Sequence, residues 1–294
     1  MIKMVLFSTI FFFFLSIFNL QAQEINDLAP CGNKLFAATD QGIYEISNNG
    51  GKVSKSTSAV SGDYDKIVSS GSSLLSSKYD KLFWLSLDSG KTWNPVVNLP
   101  KEIYQIGVSG KTIFINNKKG MWLTRDYGKN WEFQKKFKNV AYLARTNIAG
   151  KFFFANMDPF EILCTEDEGL NWTPLGPFYY ALNVLCLEGE KLYAGCALRV
   201  EASNDNGKSW ETIIKGVGKY LGVIENNICV AGGNADEKGI RFSHDKGKTW
   251  NKVEADKTVK AITSIGNNFY AVLNKKLYKS SDFGDTWALV PMKE

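Results

Sequence analysis

One pattern recurs six times along the chain and leaves little freedom in how it can fold. It reads Ser/Thr-x-Asp-x-Gly-x-(Thr/Ser/Asn)-Trp. The copies run from Ser86 to Trp93, Thr124 to Trp131, Thr165 to Trp172, Ser203 to Trp210, Ser243 to Trp250 and Ser280 to Trp287. Successive tryptophans are 38, 41, 38, 40 and 37 residues apart. A fixed period of about 40 residues marks a stack of equivalent supersecondary units, none of which can bury its apolar surface alone. One period ahead of Trp93 lies Ser54, preceded by Ser47-Asn-Asn49-Gly-Gly51-Lys-Val53. This is a worn copy, with Asn49 in place of the Asp and no Trp. Seven units of about 39 residues therefore fill positions 23–294, which are read as a single domain.

Each unit reads as four short strands. In the fifth, apolar runs at 181–187 and 191–196 flank a Glu188-Gly189-Glu190 turn. A third run at 199–203 enters the repeated pattern, and a fourth at 210–214 leaves it. Alternating or short apolar runs bounded by Gly, Asn and Asp are strand signals, and no helical period appears. Four strands per unit, repeated radially, predict an all-β fold: a seven-bladed β-propeller of four-stranded antiparallel blades. Complete units at both ends predict a ring closed by blade packing rather than by an exchanged strand. A hydrophobic content of 44% supplies the core.

The pattern has a mechanical reading. Its aspartates (Asp88, Asp126, Asp167, Asp205, Asp245, Asp282) can accept hydrogen bonds from their own turn. The Gly supplies positive φ. The tryptophans (Trp93, Trp131, Trp172, Trp210, Trp250, Trp287) can bury a large ring against a neighbour. These residues are read as the hairpin between third and fourth strands and its clamp, in preference to six ligand sites. The pattern resembles the Asp box, or bacterial neuraminidase repeat. The unembellished seven-unit form looks most like the photosystem II stability and assembly factor family. The resemblance implies that the boxes share one face and that ligands meet the opposite one. The box follows the fold and does not report chemistry.

The first 22 residues read as an address. Lys3 precedes an apolar run from Val5 to Leu20 that includes Phe11 to Phe14, and Gln21-Ala22 follows. This is the layout of a secretory signal, with cleavage after Ala22, the alternative being an uncleaved anchor. The remainder is then expected to be periplasmic or extracellular and to span no membrane. Five cysteines (Cys31, Cys164, Cys186, Cys196, Cys229) show no Cys-x-x-Cys spacing and are read as free thiols, although Cys186 and Cys196 flank one turn. A net charge of +5, from 35 basic and 30 acidic residues, is too small a surplus for a nucleic-acid partner.

Catalysis finds little support. The single His weighs against metal sites and triads, and phosphate or dinucleotide fingerprints are absent, so no metal or cofactor is expected. Sialidase chemistry is rejected: no Phe/Tyr-Arg-Ile-Pro segment precedes the repeats, Arg125 lies inside a box, and nothing supports a triad of Arg145, Arg199 and Arg241. A glycosidase needs two carboxylates about 5–9.5 Å apart. Asp40, Asp63, Asp65, Asp80, Asp158 and Glu161 fall on the candidate face, with Asp65 and Asp80 the pair to test.

The near-constant period keeps the loops short. The expected function is a non-catalytic scaffold for protein interaction or assembly, monomeric, whose partner is a protein segment or a cell-envelope glycan. The alternative is a glycan-binding or glycan-hydrolysing propeller. Candidate binding residues on the face opposite the boxes are Phe178, Tyr179, Tyr180, Tyr104, Tyr220, Arg199, Lys118 and Lys119, and Tyr64 is placed there too. Aligning the units gives a column at the channel mouth: Asn26, Asp65, Tyr104, Ala144, Asn183, Tyr220 and Lys260. If the address is processed as read, N-terminal sequencing of the exported protein begins at Gln23; a chain that retains Met1 contradicts this.

Overall fold

The computed structural model describes residues 23–47, 53–56, 62–78, 81–134, 140–143, 146–147, 151–157, 160–178, 180–232, 239–253 and 258–292. Within them there is no helix. Seven antiparallel sheets follow one another along the chain, at 25–55, 66–96, 103–133, 140–177, 182–215, 220–253 and 259–289. These are blades one to seven. In each, four strands lie side by side in chain order. First strands of successive blades touch, and the first strand of blade one touches that of blade seven. First strands therefore line the axis and fourth strands form the rim of a seven-bladed β-propeller. In blade five the strands are Leu182–Glu188, Lys191–Cys196, Arg199–Ser203 and Glu211–Lys215, within a residue or two of the expected runs.

Blades pack face to face, so their middle strands are apolar on both sides. Lys34–Thr39 and Asn268–Leu273 are buried at every position but the first. The buried residues group at the seams rather than within blades. One cluster joins Phe36 and Ile43 of blade one to Ile67 and Leu74 of blade two, with Trp93 among them. Trp131, Trp172, Trp210, Trp250 and Trp287 adjoin the clusters at the later seams.

The repeated turn explains this placement. In blade two, Ser86 Oγ donates to Asp88 Oδ1 at 2.8 Å and accepts from the Gly90 amide at 2.9 Å. The Thr92 amide donates to Oδ1 of Asp88 at 2.9 Å, and the Thr92 hydroxyl to Oδ2 at 2.7 Å. Asn130 and Asn171 keep the scheme, each donating Nδ2 to its aspartate at 2.7 Å. Both aspartate oxygens are thus engaged inside the turn. Gly90 has φ 81°, and a β-carbon there would lie 2.6 Å from the Phe36 ring of the preceding blade. In all six copies the Gly backbone presses on the blade before it. The residue ahead of the Gly, never itself a Gly, also has positive φ, from 56° to 63°. That strain is tolerated because the turn's hydrogen bonds hold it.

The last seam lacks a Trp. There Val53 of blade one and Val290 near the C-terminus enter the cluster formed by Ile25, Leu35, Tyr270 and Leu277. The Ile25 amide donates to the Lys275 carbonyl at 2.9 Å, and Lys275 pairs with Glu24. Among the described residues, no strand is exchanged between blades one and seven.

One detail differs from the sequence reading. Thr146–Asn147, beyond the first strand of blade four, runs parallel to the first strand of blade two and pairs with Ser69 and Ser70. First strands have an open edge toward the axis, and a further strand can satisfy it. Cys186 and Cys196 do not approach each other, because the hairpin register sets Cys186 opposite Tyr193 and Cys196 opposite Leu182. All five cysteines are free thiols. Burial pushes Cys164 up to about 11 and Cys186 and Cys196 up to about 12, so they are poor nucleophiles.

The turns make stability pH-dependent. Asp126, Asp167, Asp205 and Asp245 are held at about 2. The largest cause is the amide of Asn130 or Asn171 in the first two, and the hydroxyl of Ser209 or Thr249 in the others. At Asp88 desolvation pushes upward, but hydrogen bonds from Thr92 and Ser86 outweigh it and leave the group at about 2. An unfolded Asp titrates near about 3.9, so folding depresses each pKa. The stabilisation is complete above about pH 4 and is lost as pH falls toward 2. The expected Tm is level near neutrality and declines between about pH 4 and 2, less steeply for Asp126→Asn. A Tm indifferent to that window would contradict the assignment.

Candidate functional site

On the face opposite the repeated turns, connections are short and the chain enters each first strand. The column read from the sequence converges there. Asn26, Asp65, Tyr104, Asn183, Tyr220 and Lys260, from six blades, line one cavity of about 330 Å³ at the channel mouth. Ala144 lies outside the described residues. Below the mouth, a cavity of about 530 Å³ follows the first strands of blades one, five, six and seven, past Pro30, Val184, Cys186 and Thr263. Asp27, buried between them, accepts from the Leu28 amide at 2.9 Å and the Ile67 amide at 3.1 Å. It thereby joins the first strands of blades one and two. Sequence reasoning missed it, because an acid in a strand gives no sign of facing another strand's amides.

The other candidates divide. Tyr104 is 56% exposed at the mouth, and Tyr220 is half-buried there with the Lys219 ammonium 5.6 Å from its ring centre. Lys118 and Lys119 are exposed, with Lys118 near Tyr104. Lys118 pairs with Glu102 at 2.6 Å, and this hydrogen bond raises its pKa. Tyr180 is exposed and stacks on the Arg199 guanidinium, 4.2 Å from the ring centre. Phe178 corrects the sequence reading: it is 3% exposed and packs edge-on against Trp210, with ring centres 5.0 Å apart. An aromatic entering a first strand is drawn into the seam, while Tyr180, two residues on, reaches solvent. Tyr64 is likewise buried. Tyr179 lies outside the described residues.

Exposed large side chains stand on both faces, Leu170 among those on the repeated turns, and four are on the mouth side. Leu82, Tyr104, Tyr180 and Leu198 all stand there, and Leu198 is 71% exposed. Leu82 and Leu198 were not singled out from sequence, although an apolar residue beside a tight connection is a readable signal.

Of the carboxylates considered for hydrolysis, Asp40, Asp63 and Asp65 line a cavity of about 370 Å³ with Glu24, Lys260 and Lys275. Asn26 Nδ2 donates to Asp63 at 3.3 Å, the Ser77 hydroxyl to Asp65 at 3.3 Å, and the Glu24 amide to Asp40 at 3.0 Å. Asp80 and Asp158 fall outside the described residues. Among the described residues, no cluster of His, Cys, Asp and Glu is arranged to hold a metal, and no helix is long and apolar enough to cross a membrane.

Solved structures share this architecture. PorZ of Porphyromonas gingivalis, an essential bacterial surface component of the type-IX secretion system, superposes with a TM-score of 0.61 at 13% identity. The match covers 93% of this chain and 38% of PorZ. YCF48 bound to D1 peptide matches with a TM-score of 0.57 at 16% identity, over 87% of this chain and 92% of its own. The GH74 enzyme of Niastella koreensis matches with a TM-score of 0.66 at 16% identity, over 91% and 44%. The chain thus spans less than half of PorZ and of the GH74 enzyme, and nearly all of YCF48. No protein-family model and no curated protein matches the sequence. The class is a seven-bladed β-propeller, with the fold of the YCF48 propellers. Proteins of this architecture include a secretion component, a peptide-bound propeller and glycoside hydrolases.

Two substitutions separate core from surface. Phe178→Ala is expected to cost about 3–5 kcal/mol through the cavity it leaves. Tyr104→Ala should stay within about 0.5 kcal/mol of the parent. Denaturant unfolding checks both, and equal costs would contradict the assignment.

Proposed function

We propose that this chain is an exported, non-catalytic propeller that binds a segment of a partner protein at the channel-mouth face and serves as an assembly scaffold. The observation that carries the reading is that this one face holds Leu82, Tyr104, Tyr180 and Leu198 exposed around a mouth of mixed polar chemistry. Aromatic side chains that are exposed yet rigidly based are typical anchors for protein partners. The disc holds the loops in place before binding, so little ordering entropy is lost. The likeness to YCF48 bound to D1 peptide, over nearly all of that chain, agrees with a single propeller acting on a peptide. Residues 1–22 act as the export signal, and residues 23–294 work as one monomeric domain in the periplasm or outside the cell.

A second reading, glycan hydrolysis, draws on the carboxylates of the 370 Å³ cavity and on the GH74 likeness. It is the weaker one, because this chain corresponds to less than half of that enzyme. The test is capture from envelope extract by residues 23–294, wild type beside Tyr104→Ala/Tyr220→Ala, with bound proteins identified by mass spectrometry. A protein held by wild type and lost by the variant is expected. Equal capture by both overturns the site, and trimmed glycan in the eluate, abolished by Asp63→Asn/Asp65→Asn, favours hydrolysis.

A further inference from the structure

Two residues before each repeated turn, the third strand carries Trp84, Trp122, Leu163 and Tyr278 in blades two, three, four and seven. Blade one has Glu45, a half-exposed partner of Lys34. Blades five and six depart differently, with Glu201 and Arg241. Glu201 is 3% exposed. A carboxylate that far from water is costly unless its oxygens are paired. The Thr212 hydroxyl donates to Glu201 Oε1 at 2.8 Å, and Arg199 Nε lies 3.6 Å from the same oxygen. Arg199 also donates through Nη1 to Thr212 at 3.4 Å and stacks on Tyr180. Its guanidinium is therefore fixed on three sides, with a third of the side chain still exposed.

Arg241 organises the ground beside it. Nη1 donates to the Lys215 carbonyl at 3.0 Å and Nη2 to the Val217 carbonyl at 3.2 Å. The 215–219 connection also rests on blade five, where a β-carbon on Gly218 would lie 2.8 Å from Val200. This rigid connection sets Lys215 opposite Arg199 in the strand register and Lys219 beside Tyr220 at the mouth. The exposed Leu198 adjoins Arg199. A guanidinium held in place is weakly hydrated and matches a carboxylate in bidentate geometry, and the lysine ammoniums beside it add positive charge.

The geometry points to a carboxylate-binding subsite at the corner of blades five and six, in which Arg199, positioned by Glu201, Thr212 and Tyr180, receives an acidic side chain of a partner polypeptide while Leu198 meets an apolar neighbour. This rests on the scaffold reading and names the partner chemistry: an extended acidic segment with interspersed apolar residues. Arg199 makes the contact, and Glu201 is a positioning residue.

The test uses residues 23–294 and an acetylated peptide amide of alternating Glu and Leu, with its Gln/Leu counterpart as control. The chain has four arginines, so their Nε–Hε NMR signals are few, and Arg199→Gln assigns one by its loss. The Arg199 signal should move and saturate with the Glu peptide and stay still with the Gln peptide. Affinity should fall about tenfold in Arg199→Gln and weaken with salt. Glu201→Gln, read below its Tm, should broaden the Arg199 signal and weaken binding although the cation remains. An unmoved Arg199 signal, equal binding by Arg199→Gln, or a Glu201→Gln protein that loses stability but binds as before overturns the subsite. Envelope capture separates this proposal from the one beneath it. A partner that needs Tyr104 and Tyr220 but ignores Arg199→Gln sinks the subsite and leaves the scaffold. A moving Arg199 signal with capture indifferent to the mouth leaves the subsite and sinks the scaffold.

Discussion

The ring depends on a contact in which the backbone of a turn lies directly on the blade before it. Gly90 against Phe36 is the model case. The approach is too close for a side chain, and the flanking residue must hold positive φ as well. A turn so strained survives because Asp88 accepts from both the amide and the hydroxyl of Thr92, while Ser86 bridges Asp88 and Gly90. The Trp that follows then covers the seam. Each turn is therefore a joint between blades as much as a hairpin, and losing one would open a seam instead of fraying an end.

The same constraint divides the labour between the two faces. On the turn face nearly every polar group of the motif is spent on the joint. On the other face connections need only be short, so residues at equivalent positions are free to differ. The mouth column shows that freedom, with amides, a carboxylate, tyrosines and a lysine in one ring. Residues can vary on this face without disturbing closure, and a secretion component and a glycoside hydrolase share the architecture. At the corner of blades five and six the freedom reaches into the third strand, where Glu201 and Arg241 replace apolar residues and order the cations around them.

Much of this was legible in the sequence, and the failures are instructive. The period gave the blade count, and turn residues gave strand limits to within a residue or two in blade five. The mouth column was readable because repeats share a register, so alignment alone places equivalent residues around one axis. Phe178 and Tyr64 were misplaced because an aromatic next to a loop looks the same whether it turns into a seam or out to solvent. Asp27 and Glu201 were missed because Ile67, which donates to Asp27, lies in another blade and Thr212, which donates to Glu201, lies in another strand. The parallel pairing of Thr146–Asn147 with Ser69–Ser70 joins segments more than seventy residues apart, and no local signal announces it.

By itself, then, the sequence determined the architecture: six intact turns and one relic at a constant pitch admit a closed ring of seven four-stranded blades, since only neighbouring units can bury what each leaves exposed. The tertiary structure decided which polar and aromatic side chains reach solvent and which are held by others. That choice depends on how one blade's strands meet the next. Such contacts are set by packing across the seams, whereas a repeat is set by spacing along the chain.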